Sequence, residues 1–194
     1  MVEKAHPPRR GPYRLDGFLL LAENTDPAQA TPANGDAPTL LHSTDARTWT
    51  PVTTPAGLNV QAIAGNDVVG TDATGALETS TDGGATWNAT DIDAQLPAGA
   101  QLTVASADAG PLGFAVLVTP DQADGTSTAA DYLLFSSDGV SWKTTDLPSV
   151  GEPANSYPLQ VTVGADHVSV DYAGSDVTAG GATHITTLLG TPER

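Results

Sequence analysis

Cysteine is absent from the 194 residues, which excludes a disulfide framework, a thiolate nucleophile and a cysteine-bound metal. Positive charge is scarce. Lys and Arg total 7 against 23 Asp and Glu, a formal net charge of −16 at pH 7. Such a surface repels nucleic acid and anionic membranes, which are bound through clustered cations. It suits solubility in a salty or extracellular medium, or an acidic face for a cationic partner. Aromatics make up 5% of the chain. Long apolar runs are missing too: Gly17–Ala22 is far short of the roughly 18 residues of a membrane helix. Lys4, Arg9, Arg10 and Arg14 crowd the first fourteen residues but lead into no signal-type apolar stretch, so residues 1–14 read as a linker or extension without a signal peptide.

What the chain does have is Ala, Thr and Val punctuated by 20 Gly and 15 Pro, a mixture that suits many short strands joined by turns. It also repeats itself. Leu41–Trp49, Thr79–Trp87 and Phe135–Trp142 each run Ser, any residue, Asp, a short turn and Trp, and the 3 Trp of the chain all lie in these segments. Each follows a short apolar or alternating segment and precedes a Thr-rich one, the pattern of a hairpin. The Asp carboxylate accepts backbone N–H groups across such a turn. Glycine supplies the positive φ, and the Trp is expected to fold back as an apolar plug under the loop.

These segments resemble the Asp box, or BNR repeat, Ser-x-Asp-x-Gly-x-x-Trp. The second copy (Ser80, Asp82, Gly84, Trp87) fits in full. The third (Ser136, Asp138, Gly139, Trp142) is one residue shorter, and the first (Ser43, Asp45, Trp49) is shorter and lacks its glycine. The pattern is shared by sialidase-like, sortilin-like and photosystem II assembly factor-like propellers and by bacterial envelope proteins. The resemblance implies an all-β fold, a β-propeller of about four blades or part of a larger one. It implies that these eleven residues serve structure, and that the module is exported and bacterial, extracellular or in the cell envelope. Residues 15–194 divide into units at about 15–53, 58–92, 101–146 and 159–189. The interval from Asp45 to Asp82 is close to the roughly 40–50 residues of a propeller blade, and that from Asp82 to Asp138 is lengthened by an insertion. A sandwich also uses short, evenly spaced strands, but the repeated units argue against it.

In a four-stranded meander the second-to-third strand loops emerge opposite the Asp boxes, on the face where propeller ligands usually sit. Glu23–Pro38, Pro120–Ala130 and Ala173–Ala182 read as such loops. They carry Glu23, Asp26, Asp36, Asp121, Asp124 and Asp176, a candidate acidic binding face that equally reads as solvated, variable loop. No cofactor is called for. Asp121 and Asp124 offer oxygen ligands for calcium without the spacing of an EF-hand.

Sialidase chemistry needs an arginine triad, a Tyr–Glu pair and an acidic Asp. The arginines here are Arg9, Arg10 and Arg14 in the leading segment, Arg47 inside a turn and Arg194 at the end, and no Arg-Ile-Pro motif occurs. His6, His42, His167 and His184 are scattered without metal-like pairing. The resulting expectation is a non-enzymatic module for protein or glycan recognition, with no nucleic-acid partner and no membrane insertion. The alternative is a fragment of a sialidase-like glycoside hydrolase with its catalytic residues elsewhere. Unit one lacks a first strand and unit four a last, so the blades are expected to be completed by another copy, a partner chain or a parent polypeptide.

Overall fold

Val, Leu and Thr in short runs, stopped every few residues by Gly, Pro or Asp, favour extended segments over helix. The computed structural model describes residues 17–22, 39–96, 102–120, 131–148, 156–176 and 182–192, and there the chain forms four antiparallel sheets in sequence order. The first holds β1 (Phe18–Ala22), β2 (Thr39–Ser43) and β3 (Thr50–Pro51). The second holds β4 (Asn59–Ala64), β5 (Asp67–Thr71), β6 (Leu77–Ser80) and β7 (Asn88–Thr90). The third holds β8 (Leu102–Gly110), β9 (Gly113–Pro120), β10 (Tyr132–Ser136) and β11 (Lys143–Asp146). The fourth holds β12 (Ser156–Val163), β13 (Val168–Asp176) and β14 (Ala182–Gly190). Within each sheet the strands lie side by side in chain order. This up-and-down meander, repeated and stacked face to face, is the blade architecture of a β-propeller.

The packing explains the composition. One core lies between sheets two and three, with Val69 and Leu77 meeting Ala107, Phe114, Val116, Val118 and Leu134. A second lies between sheets three and four, with Ala115, Leu117 and Leu147 meeting Val161, Val163, Val168, Val170 and Tyr172. β9 therefore sends alternate side chains into two different cores. That is why Phe114–Val118 reads as an unbroken apolar run, as expected of a strand buried on both faces. The innermost strands of sheets three and four are joined as well. The Val161 amide donates to Ser106 Oγ at 3.3 Å and the Val163 amide to Asp108 Oδ2 at 2.7 Å. These two side chains satisfy backbone groups that an edge strand would otherwise leave open.

Two details differ from the sequence reading. β13 runs on to Asp176, which pairs with Ala182 on β14, so Ala173–Asp176 and Ala182 are strand and not loop, while residues 177–181 lie outside the described residues. Ala173 and Tyr172 are buried, and that burial extends the ladder. The Trp residues are half-buried, not full plugs. The first strands of sheets two, three and four also each carry an irregularity near the start, at Val60/Ala62, Val104/Ser106 and Pro158/Gln160. A bulge inserts one residue and increases the local twist, which suits strands lying closest to the stacking axis. The proposed extension, residues 1–14, lies outside the described residues.

Candidate functional site

The three Ser-x-Asp turns share one bonding scheme. In the first, Ser43 Oγ donates to Asp45 Oδ1 at 3.1 Å, and the same oxygen accepts the amides of Arg47 and Thr48, each at 2.8 Å. In the second, Ser80 Oγ donates to Asp82 Oδ1 at 2.9 Å, which accepts the Thr86 amide at 2.8 Å, while the Thr86 hydroxyl reaches Asp82 Oδ2 at 2.6 Å. In the third, Ser136 Oγ donates to Asp138 Oδ1 at 3.0 Å, which accepts the amides of Val140 at 2.9 Å and Ser141 at 2.8 Å. The serines are buried. Their hydroxyls also accept: Ser80 takes the Gly84 amide at 2.8 Å and Ser136 the Gly139 amide at 2.9 Å. A buried hydroxyl that donates and accepts is satisfied, so the Ser–Asp pair closes the turn's hydrogen-bond accounts without water.

Each of the two later turns is seated on the sheet before it. Trp87 Nε1 donates to the Thr53 carbonyl at 3.1 Å. A Cβ on Gly84 would stand 2.5 Å from Val52 Cγ1, and Gly84 has φ +88°, so this position needs glycine on both counts. Thr79 Oγ1, on β6, donates to the Gly139 carbonyl at 2.8 Å. Trp142 packs against the core between sheets two and three, and among the described residues its buried Nε1 has no acceptor. The first turn, which lacks glycine, places Ala46 at φ 56° instead, a left-handed conformation costing roughly 1–2 kcal/mol in a non-glycine residue.

The electrostatics follow the bonds. The Thr48 and Arg47 amides and the Ser43 hydroxyl hold Asp45 below its usual value. Partial burial pushes Asp82 up, but the Thr86 hydroxyl and amide and the Ser80 hydroxyl together outweigh it and the net shift is downward. Asp138 is lowered chiefly by the Ser141 amide, against burial. Glu78 behaves oppositely. It lies on β6 between Leu77 and Thr79, 6% exposed, and burial first, then the charge of Asp72, raises its pKa.

Two further acidic sites fall outside the Ser-x-Asp repeats. Asp72, between β5 and β6, accepts the amides of Thr74 at 2.7 Å and Ala76 at 3.0 Å and the Thr74 hydroxyl at 2.7 Å. The local signal was Asp-Ala-Thr-Gly, an Asx-type turn sequence. Asp171, on the outward face of β13, accepts from Gln160 Nε2 at 2.8 Å and Thr187 Oγ1 at 2.6 Å. Both are lowered by these bonds, Thr74 leading for Asp72 and Thr187 for Asp171.

A pH dependence follows. A carboxyl depressed in the folded state adds stability above its unfolded value near 4, and that stability is lost as pH falls through the folded value. Asp45, Asp72, Asp82, Asp138 and Asp171 are of this kind. Glu78 is raised, so its cost sets in as pH rises through the unfolded value and is complete above the folded one. Five groups against one give the expected outcome: the urea midpoint falls as pH is lowered below about 4, and Asp82→Asn loses part of that acid slope. A midpoint flat from pH 6 to 3 would contradict the assignment.

The meander puts the Ser-x-Asp turns and the β4–β5, β8–β9 and β12–β13 hairpins at one end of the stack. The β1–β2, β5–β6, β9–β10 and β13–β14 connections fall at the other. Of the candidate acidic face, Glu23, Asp26, Asp36, Asp121 and Asp124 lie outside the described residues, and the calcium pair Asp121 and Asp124 with them. Asp176 closes β13. Asp72 falls at this end also. Among the described residues no group of three or more His, Asp or Glu is placed to hold a metal ion. His167 is bonded to Asp166 at 2.6 Å on the surface.

No family model matches the chain, and no curated protein matches it. Solved structures do. One, described as YCF48 bound to D1 peptide, is 14% identical with a TM-score of 0.39, covering 81% of this chain and 48% of that one. Another, YCF48 from Cyanidioschyzon merolae, is 16% identical with a TM-score of 0.42, covering 80% of this chain and 51% of that one. The chain thus spans about half the length of these structures.

Proposed function

We propose that this chain is a non-enzymatic propeller module of Asp-box type, exported, whose acid-rich end takes a basic protein segment. One observation carries the reading. The turn carboxylates are bonded to their own backbone and the later turns are seated on the preceding sheet, so that end of the stack is scaffold. The opposite end is left for recognition, as is usual where loops vary on a fixed frame. Its connections carry Glu23, Asp26, Asp36, Asp121, Asp124 and Asp176 in a chain of net charge −16. Charge of one sign favours fast, salt-sensitive association with a partner of the other.

The test uses arrays of basic, neutral and acidic peptides together with a glycan array, at low and high salt. Basic peptides are expected to bind. Their affinity should fall roughly tenfold or more between 0.05 and 0.5 M salt, and further in Asp26→Asn/Asp36→Asn/Asp121→Asn/Asp124→Asn. Equal retention of acidic and basic peptides, or binding untouched by the four changes, overturns the basic-partner reading. Selective glycan retention would replace it with the glycan one. Hydrolysis of aryl sialosides and common aryl glycosides is expected to be undetectable. Turnover above a heat-killed control, abolished by changing a single carboxylate, would reverse the non-enzymatic assignment.

A further inference from the structure

The third strands of sheets two and three are each covered by a fourth: β6 by β7 and β10 by β11. In sheet four the equivalent strand is β14, and among the described residues nothing lies beyond it. It is nine residues long, Ala182–Gly190. The other outer strands are shorter or protected: β3 is two residues long and ends in Pro51, β7 is three residues long, and β11 has Lys143 and Asp146. β14, Ala-Thr-His-Ile-Thr-Thr-Leu-Leu-Gly, has no proline and no Asp, Glu, Lys or Arg. Two of its residues are among the most exposed apolar side chains of the described chain, Ile185 at 58% and Leu189 at 69%.

The ladder fixes which backbone groups face the open edge. The Val161 and Val163 amides point away from β13, toward Ser106 and Asp108. Alternation then turns Val168, Val170 and Tyr172 toward β14, where they pair with Gly190, Leu188 and Thr186. Ile185, Thr187 and Leu189 are left with N–H and C=O directed outward. These three residues are symmetric about Thr187. Two copies of the edge laid antiparallel on a twofold axis at Thr187 bring each Ile185 opposite Leu189 of the other copy and Thr187 opposite itself. All three pairs then fall in the hydrogen-bonding register, and each matches apolar with apolar or hydroxyl with hydroxyl.

We infer that β14 is a self-pairing edge and that this chain associates with a second copy through it, joining two three-stranded sheets into one of six. The inference rests on the strand edge alone and is independent of what the acid-rich end binds. A contact of one strand per copy is small beside the roughly 1,600 Å² of a standard interface, so the dimer is weak and concentration-dependent. Added salt strengthens it, because screening relieves the repulsion between two chains of charge −16.

The absence of cysteine allows a register-specific test. Thr187→Cys places one thiol from each copy across the axis, within the Cα separation of about 4.4–6.8 Å that a disulfide accepts. Mild oxidation is expected to give a covalent dimer. Thr162→Cys, exposed on β12 of the same sheet face, is expected to stay largely monomeric under the same conditions. In sedimentation equilibrium the wild-type mass should rise toward twice the monomer with concentration and salt. Thr187→Pro, which removes an outward N–H and none directed at β13, should raise the dissociation constant at least tenfold with its far-UV spectrum retained. A wild-type monomer at every concentration overturns the inference. So does equal cross-linking at positions 162 and 187, or a dimer indifferent to Thr187→Pro. If Thr187→Pro unfolds, the cross-linking comparison decides alone.

Discussion

Phe114→Ala is expected to lower the unfolding free energy by about 3–5 kcal/mol, the cost of an aromatic-to-alanine truncation in a closed core. Phe114 is fully buried in the core shared by sheets two and three. It also lies beneath the third Ser-x-Asp turn, since a Cβ on Gly139 would stand 3.1 Å from Phe114 Cε2. Its loss therefore empties space against Val69, Leu77 and Leu134 and loosens the seat of that turn on Thr79. Domains of this size have roughly 5–15 kcal/mol to lose, so the variant should unfold well below the wild-type urea midpoint. A cost under about 1 kcal/mol would mean that sheets two and three do not share this core.

Gly113→Ala is the second large effect, at roughly 2–4 kcal/mol. Gly113 opens β9 at φ +131°, a region closed to residues with a side chain. Backbone strain is half the argument. A Cβ there would also lie 2.1 Å from the Ser136 carbonyl oxygen and 2.7 Å from Ser137 Cα. Neither is the end of a flexible side chain, so β10 and the turn that Ser136 closes must shift. Gly75→Ala separates the two contributions. Gly75 also has positive φ, +86°, but nothing lies within 4 Å of its added Cβ, so it should cost about 1 kcal/mol. Equal losses at the two positions would show that the contact with Ser136 is absent.

What was legible in the sequence was whatever repeats. Ser43, Ser80 and Ser136 with Asp45, Asp82 and Asp138 marked three strand-turn-strand corners because their chemistry is local, within four residues of the Asp. The apolar run Phe114–Val118 marks a strand, but its burial on both faces follows only from the sheets that flank β9. The irregularities at Val60/Ala62, Val104/Ser106 and Pro158/Gln160 were not legible, because a bulge is defined against the neighbouring strand and leaves no shared residue type behind. Ser106 and Asp108 read as ordinary polar positions of an alternating strand. Their role appears only when β12, some fifty residues later, brings its amides to them. Glu78 likewise reads as an outward charge until sheet packing buries it. The start of the loop expected at Ala173 was misplaced for a related reason: Gly174 and Ser175 look like punctuation, yet they pair with His184 and Thr183 in the ladder.

Successive sheets stack through their innermost strands, and amide hydrogen exchange at Val161 and Val163 tests this most directly. Their N–H groups point out of sheet four and are taken up by Ser106 Oγ and Asp108 Oδ2 of sheet three. Stacking predicts protection comparable to that of the Val170 amide inside the β13–β14 ladder, with the Val163 amide losing it in Asp108→Ala while Val170 keeps it. Exchange of Val161 and Val163 at the rate of an open strand edge, beside a protected Val170, would show that sheet four forms but does not stack on sheet three.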